Sequence, residues 1–153
     1  MIINATGSIL DSAAECVVIP CNCVGVTGAG LALAASKRWP EAAAEYRRAC
    51  RGKRLWPGIM RITQEHPCNE GKWVIWFPTK DDWRKPSELE WISSGLLTLR
   101  FAADDYGFGS IAIPGLGCGC GGLRWADVRT LIESAFEDWQ ETVHLYAPGS
   151  ERA

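Results

Sequence analysis

The chain has 153 residues, of which 47% are hydrophobic and 22% charged, and its formal net charge is −2. This composition is typical of a globular protein, and the weak negative charge excludes general coating of nucleic acid but not a local basic patch. No apolar run approaches the roughly 20 residues of a membrane span. Seven cysteines without a secretory signal predict reduced thiols in a cytoplasmic protein, and the length predicts one domain, residues 1–153.

The sequence pattern alternates between strands and helices. In the first half of the chain it predicts strands at Met1–Thr6 and Cys16–Cys21, then helices at Leu31–Trp39 and Pro40–Cys50, then strands at Gly58–Gln64 and Lys72–Phe77. In the second half it predicts a helix that begins with a capping box of Ser87 and Glu90, a strand at Ser110–Pro114, a helix after Trp125, and a strand at Thr142–Tyr146. This alternation predicts an α/β fold with three layers around a mostly parallel sheet.

Two glycine-bearing loops each lead from a predicted strand into a predicted helix. The first is CNCVGVTGAGLA (Cys21–Ala32), and the second is PGLGCGCGGLRW (Pro114–Trp125), in which five of the eight residues from Gly115 to Gly122 are glycine. Glycine at such density indicates positive φ angles or close approach of another group to the backbone. Helix N-termini favour anions, so the two loops predict a diphosphate site, the alternative being that the glycines only form tight turns. Neither loop matches the P-loop or Rossmann pattern.

Five stretches carry a resemblance to a known family: GSIL, PCNCVGVTGAGLALAASKRWP, FPTKDDWRKPSELEWISSGL, SIAIPGLGCGCGGLRW and HLYAP. The FPTK-x-x-WR motif and the Gly-Cys-Gly loop with GGL-x-W are more specific than glycine spacing alone. With these residues the chain resembles a macrodomain, and within that family the DarG-type antitoxin macrodomains that remove ADP-ribose from DNA. The resemblance covers nearly the whole chain and implies a three-layer α/β/α macrodomain sandwich with a mixed, mostly parallel six-stranded sheet.

The resemblance implies ADP-ribose as the ligand and no cofactor. The diphosphate would lie between Thr27–Leu31 and Gly117–Gly122. Ser8 stands where many macrodomains carry an acidic residue for the adenine, so adenine recognition is expected from the backbone near Ser8 and Ile9 and from stacking on Tyr146. The substrate-binding residues implied in this way are Ser8, Ile9, Asn22, Thr27, Gly28, Ala29, Gly30, Leu31, Thr79, Pro114, Gly117, Cys118, Gly119, Cys120, Gly121, Gly122 and Tyr146.

Lys80 is the expected catalytic residue, because the lysine of the FPTK motif is catalytic in DarG-like enzymes. It would attack the anomeric carbon or the opened aldehyde of the distal ribose, or it would protonate the leaving base, and the sequence leaves these roles open. The alternative is a surface lysine paired with Asp81 or Asp82.

Asn22 is the second expected catalytic residue, since its side-chain amide follows the second strand and could bond the distal ribose hydroxyls. The alternative is an Asx turn that stabilises the loop. Related glycohydrolases of another branch carry an aspartate in the second loop, where this chain has Cys120, Gly121 and Gly122. A mechanism through that carboxylate is therefore not expected.

Three further features have two interpretations each. Trp83, beside Arg84, either stacks on a DNA base or packs under the following loop. The stretch RRACRGKR (Arg47–Arg54) is either a solvated helix end or a surface that follows DNA phosphates. Two C-x-C pairs in the glycine loops could hold zinc, but their spacing is shorter than usual, so no metal is expected.

The function that these observations favour is hydrolysis of the N-glycosidic bond between ADP-ribose and a DNA base. The alternatives are a reader that binds ADP-ribose without turnover, and a hydrolase of protein-linked ADP-ribose or O-acetyl-ADP-ribose. The expected partner is ADP-ribosylated single-stranded DNA, with a DNA ADP-ribosyltransferase toxin as a second partner. A monomer that does not bind membranes is expected.

Overall fold

A computed structural model describes residues 1–66 and 71–149. Six strands form one sheet: β1 (Ile2–Ala5), β2 (Cys16–Asn22), β3 (Arg61–Gln64), β4 (Trp73–Lys80), β5 (Ser110–Ile113) and β6 (Thr142–Tyr146). Their order is β1-β6-β5-β2-β4-β3, and every neighbouring pair is parallel except β3 with β4. The prediction of a mixed, mostly parallel six-stranded sheet is therefore confirmed.

Two strand boundaries differ from the prediction by three residues because of contacts with neighbouring segments, and the other boundaries agree to within one residue. Strand β3 starts at Arg61 rather than Gly58, since the residues before it form a tight turn in which the Ile59 N–H donates to the Trp56 carbonyl at 2.9 Å. Strand β4 continues to Lys80, because its last residues pair with the end of β2, where Asn22 lies opposite Lys80.

Four helices cover the sheet: α1 (Gly30–Arg38), α2 (Pro40–Arg51), α3 (Leu89–Tyr106) and α4 (Trp125–Ala135). Pro40 occupies the start of α2, as the sequence predicts. The predicted capping box is wrong, because α3 begins after Glu88 without a side-chain cap. Ser87 is instead buried, and its N–H donates to the Gly121 carbonyl at 3.0 Å. No helix in the described part of the chain combines the length and apolar character that a membrane crossing requires.

Two apolar layers hold the helices on opposite faces of the sheet. One layer joins α3 and α4 to the sheet through residues such as Phe77, Leu96 and Ile132, and the other joins α1 and α2 through Trp39 and Trp76. These five side chains are at most 1% exposed. Trp139 is 6% exposed, whereas Trp73 is only partly buried at the edge of the first layer.

The topology places the crevice between β2 and β5. After β2 the chain continues to β3 and β4 on one side of it, and α3 then carries the chain to β5 on the other side. Ligands of open α/β sheets bind at such a switch point, outside the carboxyl ends of the strands. Both glycine-bearing loops leave the sheet at this edge.

Candidate functional site

Two loops at the crevice carry free backbone donors. Loop A (residues 23–29) joins β2 to α1, and loop B (residues 114–124) joins β5 to α4. Neither helix has a side-chain cap at its N-terminus. Within the described residues, no hydrogen-bond acceptor faces the N–H groups of Gly30 and Leu31 at α1 or those of Gly119 and Cys120 in loop B. The free N–H groups at the N-terminus of α1 are suited to an anionic ligand, and those of Gly119 and Cys120 add donors from the loop before α4.

The glycines of these loops fall into two groups. Gly117 has a φ of +73°, and a Cβ there would lie 2.8 Å from Leu123, while a Cβ on Gly121 would overlap the Ser87 hydroxyl and the Gly117 carbonyl. Packing within the protein therefore explains these two. Gly28 and Gly119 have ordinary φ angles, and a Cβ on Gly119 would meet no atom within 4 Å. Their bare backbone is explained if a ligand approaches it closely.

Lys80 lies between β4 and loop B and forms no ion pair with its acidic neighbours. Its Nζ donates to the Cys120 carbonyl at 3.3 Å and to the Trp83 carbonyl at 3.4 Å. Asp81 pairs with Lys85 at 3.5 Å, and Asp82 pairs with Arg84 at 2.6 Å. The structure therefore does not support the surface ion pair as the role of Lys80. The residue as a whole is half-buried, and its amine lies against the loop expected to hold the diphosphate.

The side chain of Asn22 holds the backbone of loop A through hydrogen bonds. Its Oδ1 accepts the N–H groups of Val24, Gly25 and Val26 at 3.0, 2.9 and 3.2 Å, and its Nδ2 donates to the Val26 carbonyl at 2.8 Å. The side chain is buried, with 7% of its residue surface exposed. This is the Asx-turn arrangement that the sequence left as the alternative. The geometry supports a structural role, and the expected catalytic role of Asn22 stays a prediction.

Tyr46 supports the same loop from α2, and nothing in the sequence singled it out. Its buried phenol donates to the Asn22 carbonyl at 2.7 Å, and its ring stacks on Trp76 with a centroid distance of 4.8 Å. Burial raises the pKa of the Tyr46 phenol far above its ordinary value, so the hydroxyl stays a donor. Ser87, which the sequence indicated only as a helix cap, supports loop B through its backbone N–H, while its buried Oγ has no hydrogen-bond partner within the described residues.

The residues expected at the adenine lie at the ends of β1 and β6. Ser8 caps a 3-10 turn (Ile9–Asp11), its Oγ accepting the Leu10 N–H at 3.3 Å. Tyr146 ends β6 beside Ala5 and is 5% exposed, so its ring has little free surface for stacking. Of the other expected contacts, Thr79 and Pro114 are buried at strand ends.

Trp83 and Arg84 lie on the loop that follows Lys80. Trp83 is 51% exposed, and the Arg84 guanidinium carbon lies 5.6 Å from the centroid of its ring. The hydrogen bonds from Arg84 hold the pKa of the Asp82 carboxyl far below its usual range. The exposure argues against packing of Trp83 under the following loop, and it leaves about half of the residue surface open to a ligand beside Arg84.

The thiols at the crevice differ in exposure. Cys21 and Cys50 are buried, Cys23 and Cys118 are half-buried and Cys120 is exposed, and all six cysteines of the described residues, Cys16 among them, are free. Burial raises the pKa of Cys23 to about 12 and that of Cys118 to about 11. Among the residues that the structure describes, no three His, Cys, Asp or Glu side chains form a group suited to a metal ion. Cys68 lies outside the described residues.

Comparison with known sequences gives a family. A family model described as "Macro domain" matches residues 18–132. The "DNA ADP-ribosyl glycohydrolase" of Mycobacterium tuberculosis is 37% identical over 150 residues, which are 98% of this chain and 43% of that protein. A "DNA ADP-ribosyl transferase-DNA ADP-ribosyl glycohydrolase fusion protein" of Thermosipho africanus is 30% identical over 95% of this chain and 42% of that protein. The chain thus spans less than half the length of these relatives.

Comparison with solved structures gives the same family as comparison with known sequences. The "Macrodomain of Mycobacterium tuberculosis DarG" matches with a TM-score of 0.94 and 37% identity, covering 97% of this chain and 99% of that one. "Thermosipho africanus DarTG in complex with ADP-ribose" matches with a TM-score of 0.85 and 30% identity, covering 95% of this chain and 41% of that one. The likeness extends over almost the whole chain.

Proposed function

Because the chain belongs to the Macro domain family, we propose that it binds ADP-ribose and hydrolyses the N-glycosidic bond between ADP-ribose and a DNA base. The relatives named DNA ADP-ribosyl glycohydrolase support this activity, since this chain aligns with them over nearly its full length. The relative that is a fusion with a DNA ADP-ribosyl transferase supports an enzyme of that class as the source of the modified DNA.

The strand order implies an orientation of the proposed ligand in the crevice. Ser8 and Tyr146 lie at the ends of β1 and β6, loops A and B follow the adjacent strands β2 and β5, and Lys80 ends β4. Neighbouring strands lie about 4.8 Å apart, so the path from β6 to β4 spans roughly 14 Å. Adenine at β1 and β6, diphosphate at the loops and distal ribose at β4 therefore lie in the order in which ADP-ribose connects them.

The observation that carries the proposal is the position of the Lys80 amine. It lies against the Cys120 carbonyl, at the end of the crevice where the distal ribose would lie in this proposal, with no carboxylate bound to it within the described residues. An amine in this position can reach the anomeric carbon or the leaving base. A site that only bound ADP-ribose would need no amine there.

Two mechanisms use this amine. As a nucleophile, neutral Lys80 forms a bond to the anomeric carbon while the bond to the base breaks, and the departing base takes the proton that the lysine nitrogen loses. The glycosylamine then opens to an imine, which water hydrolyses to release ADP-ribose and the free lysine. As a general acid, protonated Lys80 gives its proton to the base as the glycosidic bond breaks, and water adds to the anomeric carbon. Borohydride reduction during turnover distinguishes them, because an imine formed between Lys80 and the opened ribose aldehyde would be trapped as a covalent adduct visible by mass spectrometry.

Release of free ADP-ribose from an ADP-ribosylated single-stranded oligonucleotide tests the proposal. Lys80→Ala should lower kcat by about 10²–10⁴, the usual contribution of a positioned acid or base, while the affinity for free ADP-ribose measured by calorimetry changes little. Lys80→Arg should fail as well, since guanidinium does not lose its proton. Lys85→Ala is the matched control, because Lys85 pairs with Asp81 on the same loop.

Three results would contradict the proposal in different ways. Wild-type protein that binds ADP-ribose but releases none from DNA is a reader. Release from ADP-ribosylated protein or O-acetyl-ADP-ribose but not from DNA identifies another substrate. Normal turnover by Lys80→Ala removes the lysine from the mechanism.

A further inference from the structure

Five cations cluster at the C-terminal end of α2: Arg47, Arg48, Arg51, Lys53 and Arg54, called here the basic cap. Elsewhere the arginines at positions 38, 84, 100, 124 and 129 each pair with a carboxylate. Within the described residues no carboxylate pairs with any member of the basic cap, although Glu45 lies on the same helix. In a chain of net charge −2, this is a local concentration of unneutralised positive charge.

The basic cap borders the crevice. Helix α2 begins beside Glu65, whose carboxylate accepts the Ala42 N–H at 3.2 Å, and it ends at the opposite edge of the sheet. There its last turns pack against loop A, since a Cβ on Gly25 would lie 3.2 Å from the Cys50 Cβ and 3.9 Å from the Arg47 Cα. The cations therefore lie next to the loop expected to hold the diphosphate.

Lys53 occupies a backbone position that favours glycine. Its φ is +54°, and it is the only residue other than glycine with a positive φ in the described chain. The Lys53 N–H donates to the Cys50 carbonyl, and the Arg54 N–H to the Ala49 carbonyl, both at 3.0 Å, which closes the helix in a Schellman-type cap. A lysine there keeps a cation at some cost in stability, and such backbone outliers concentrate at functional positions.

An exposed aromatic ring follows the cations directly. Trp56 is 55% exposed, and the preceding Leu55 is buried and anchors the segment. A helix C-terminus favours cations, which would account for the arginines within α2 but not for Lys53 and Arg54 beyond its end. Unpaired cations beside an exposed aromatic ring are the usual elements of single-stranded nucleic-acid binding.

We propose that the basic cap and Trp56 bind the phosphate backbone and one flanking base of the single strand whose modified nucleotide lies in the crevice. This inference rests on the proposed function for its substrate class. The cap would hold the strand without contacting ADP-ribose, so it would act on affinity for the oligonucleotide rather than on the chemical step.

Binding of an unmodified, fluorescently labelled single-stranded oligonucleotide, measured by anisotropy at several salt concentrations, tests this surface independently of hydrolysis. Each phosphate contact contributes about −0.7 to the slope of log K against log[salt] for single strands, so the triple variant Arg48→Gln, Arg51→Gln, Lys53→Gly should reduce the magnitude of the slope by about 2. Lys53→Gly alone should reduce it by about 0.7 while raising the melting temperature, because glycine fits the positive φ. A purely structural lysine would change the melting temperature alone. Lys37→Gln is the matched control, since Lys37 is exposed on the last turn of α1 and has no ion pair within the described residues.

Steady-state kinetics of ADP-ribose release provide a second test of the basic cap. The triple variant should raise KM for the ADP-ribosylated oligonucleotide and leave KM for an ADP-ribosylated mononucleoside unchanged. Equal salt slopes for wild type and the triple variant, an equal loss in Lys37→Gln, or equally effective competition by polyglutamate would each overturn the proposal. If wild type releases no ADP-ribose from DNA but its oligonucleotide affinity still depends on the basic cap, the proposed function fails and the nucleic-acid surface stands.

Discussion

Removal of one hydroxyl group, by Tyr46→Phe, tests how loop A is held in place. The Tyr46 phenol is fully buried and donates to the Asn22 carbonyl at 2.7 Å, which fixes the residue that shapes the loop. Phenylalanine keeps the stacking on Trp76 but leaves this buried carbonyl without its phenol donor. The substitution therefore removes the short bond to the Asn22 carbonyl and a longer one of 3.3 Å to Asn22 Oδ1, and it leaves the Cys50 thiol at 3.9 Å as the other side-chain donor to this carbonyl.

Because a thiol is a weak donor, the buried carbonyl loses most of its hydrogen bonding, and the expected cost is about 1–3 kcal/mol. For a chain of this size each kcal/mol lowers Tm by about 2–4 °C, so Tm should fall by about 2–12 °C. Affinity for ADP-ribose should also fall, because loop A loses part of its support. Urea denaturation and calorimetric titration with ADP-ribose measure the two effects.

Tyr106→Phe is the matched control. Tyr106 is 48% exposed and makes ring contacts with Trp73 and Phe108 that phenylalanine would keep. Its free energy of unfolding should change by no more than about 0.5 kcal/mol. If Tyr46→Phe and Tyr106→Phe unfold at the same urea concentration, the hydrogen bond to Asn22 does not stabilise the loop and the reasoning is refuted.

Two further predictions concern the glycines and thiols of the crevice. Gly28→Glu and Gly119→Glu should each abolish ADP-ribose binding without a loss of Tm, because both positions have room for a side chain but the carboxylate would repel a diphosphate. Gly119→Ala should weaken binding less than Gly119→Glu, since its methyl group adds bulk beside the ligand but no charge. Unchanged affinity in both glutamate variants would place the ligand elsewhere. Iodoacetamide at neutral pH should modify exposed Cys120 before half-buried Cys118, as followed by mass spectrometry. Because burial raises the pKa of Cys118 to about 11 and the thiolate is the reactive form, its labelling should rise about tenfold per pH unit until that pH; a rate independent of pH would contradict this environment.

The sequence by itself determined the features that depend on neighbouring residues. The apolar run WVIW predicts a strand buried on both faces, Pro40 predicts the start of α2, and the glycine stretches predict loops before α1 and α4, all of which the structure contains. These signals act over a few residues, through side-chain periodicity, fixed φ angles and turn chemistry. The FPTK motif likewise indicates Lys80 as the candidate catalytic residue, through its resemblance to a known family.

Only the tertiary structure decided what the residues of the crevice contact. Asp81 and Asp82 lie beside Lys80 in the sequence, yet Lys80 bonds the carbonyl of Cys120, which is 40 residues away. Ser87 supports loop B rather than capping α3, because a buried loop packs against it from across the crevice. Arg47 reaches Gly25 because α2 ends at the edge of the sheet where β2 ends. Such contacts depend on strand order and helix packing, which are set by burial summed over the whole core, and local sequence patterns carry no record of them.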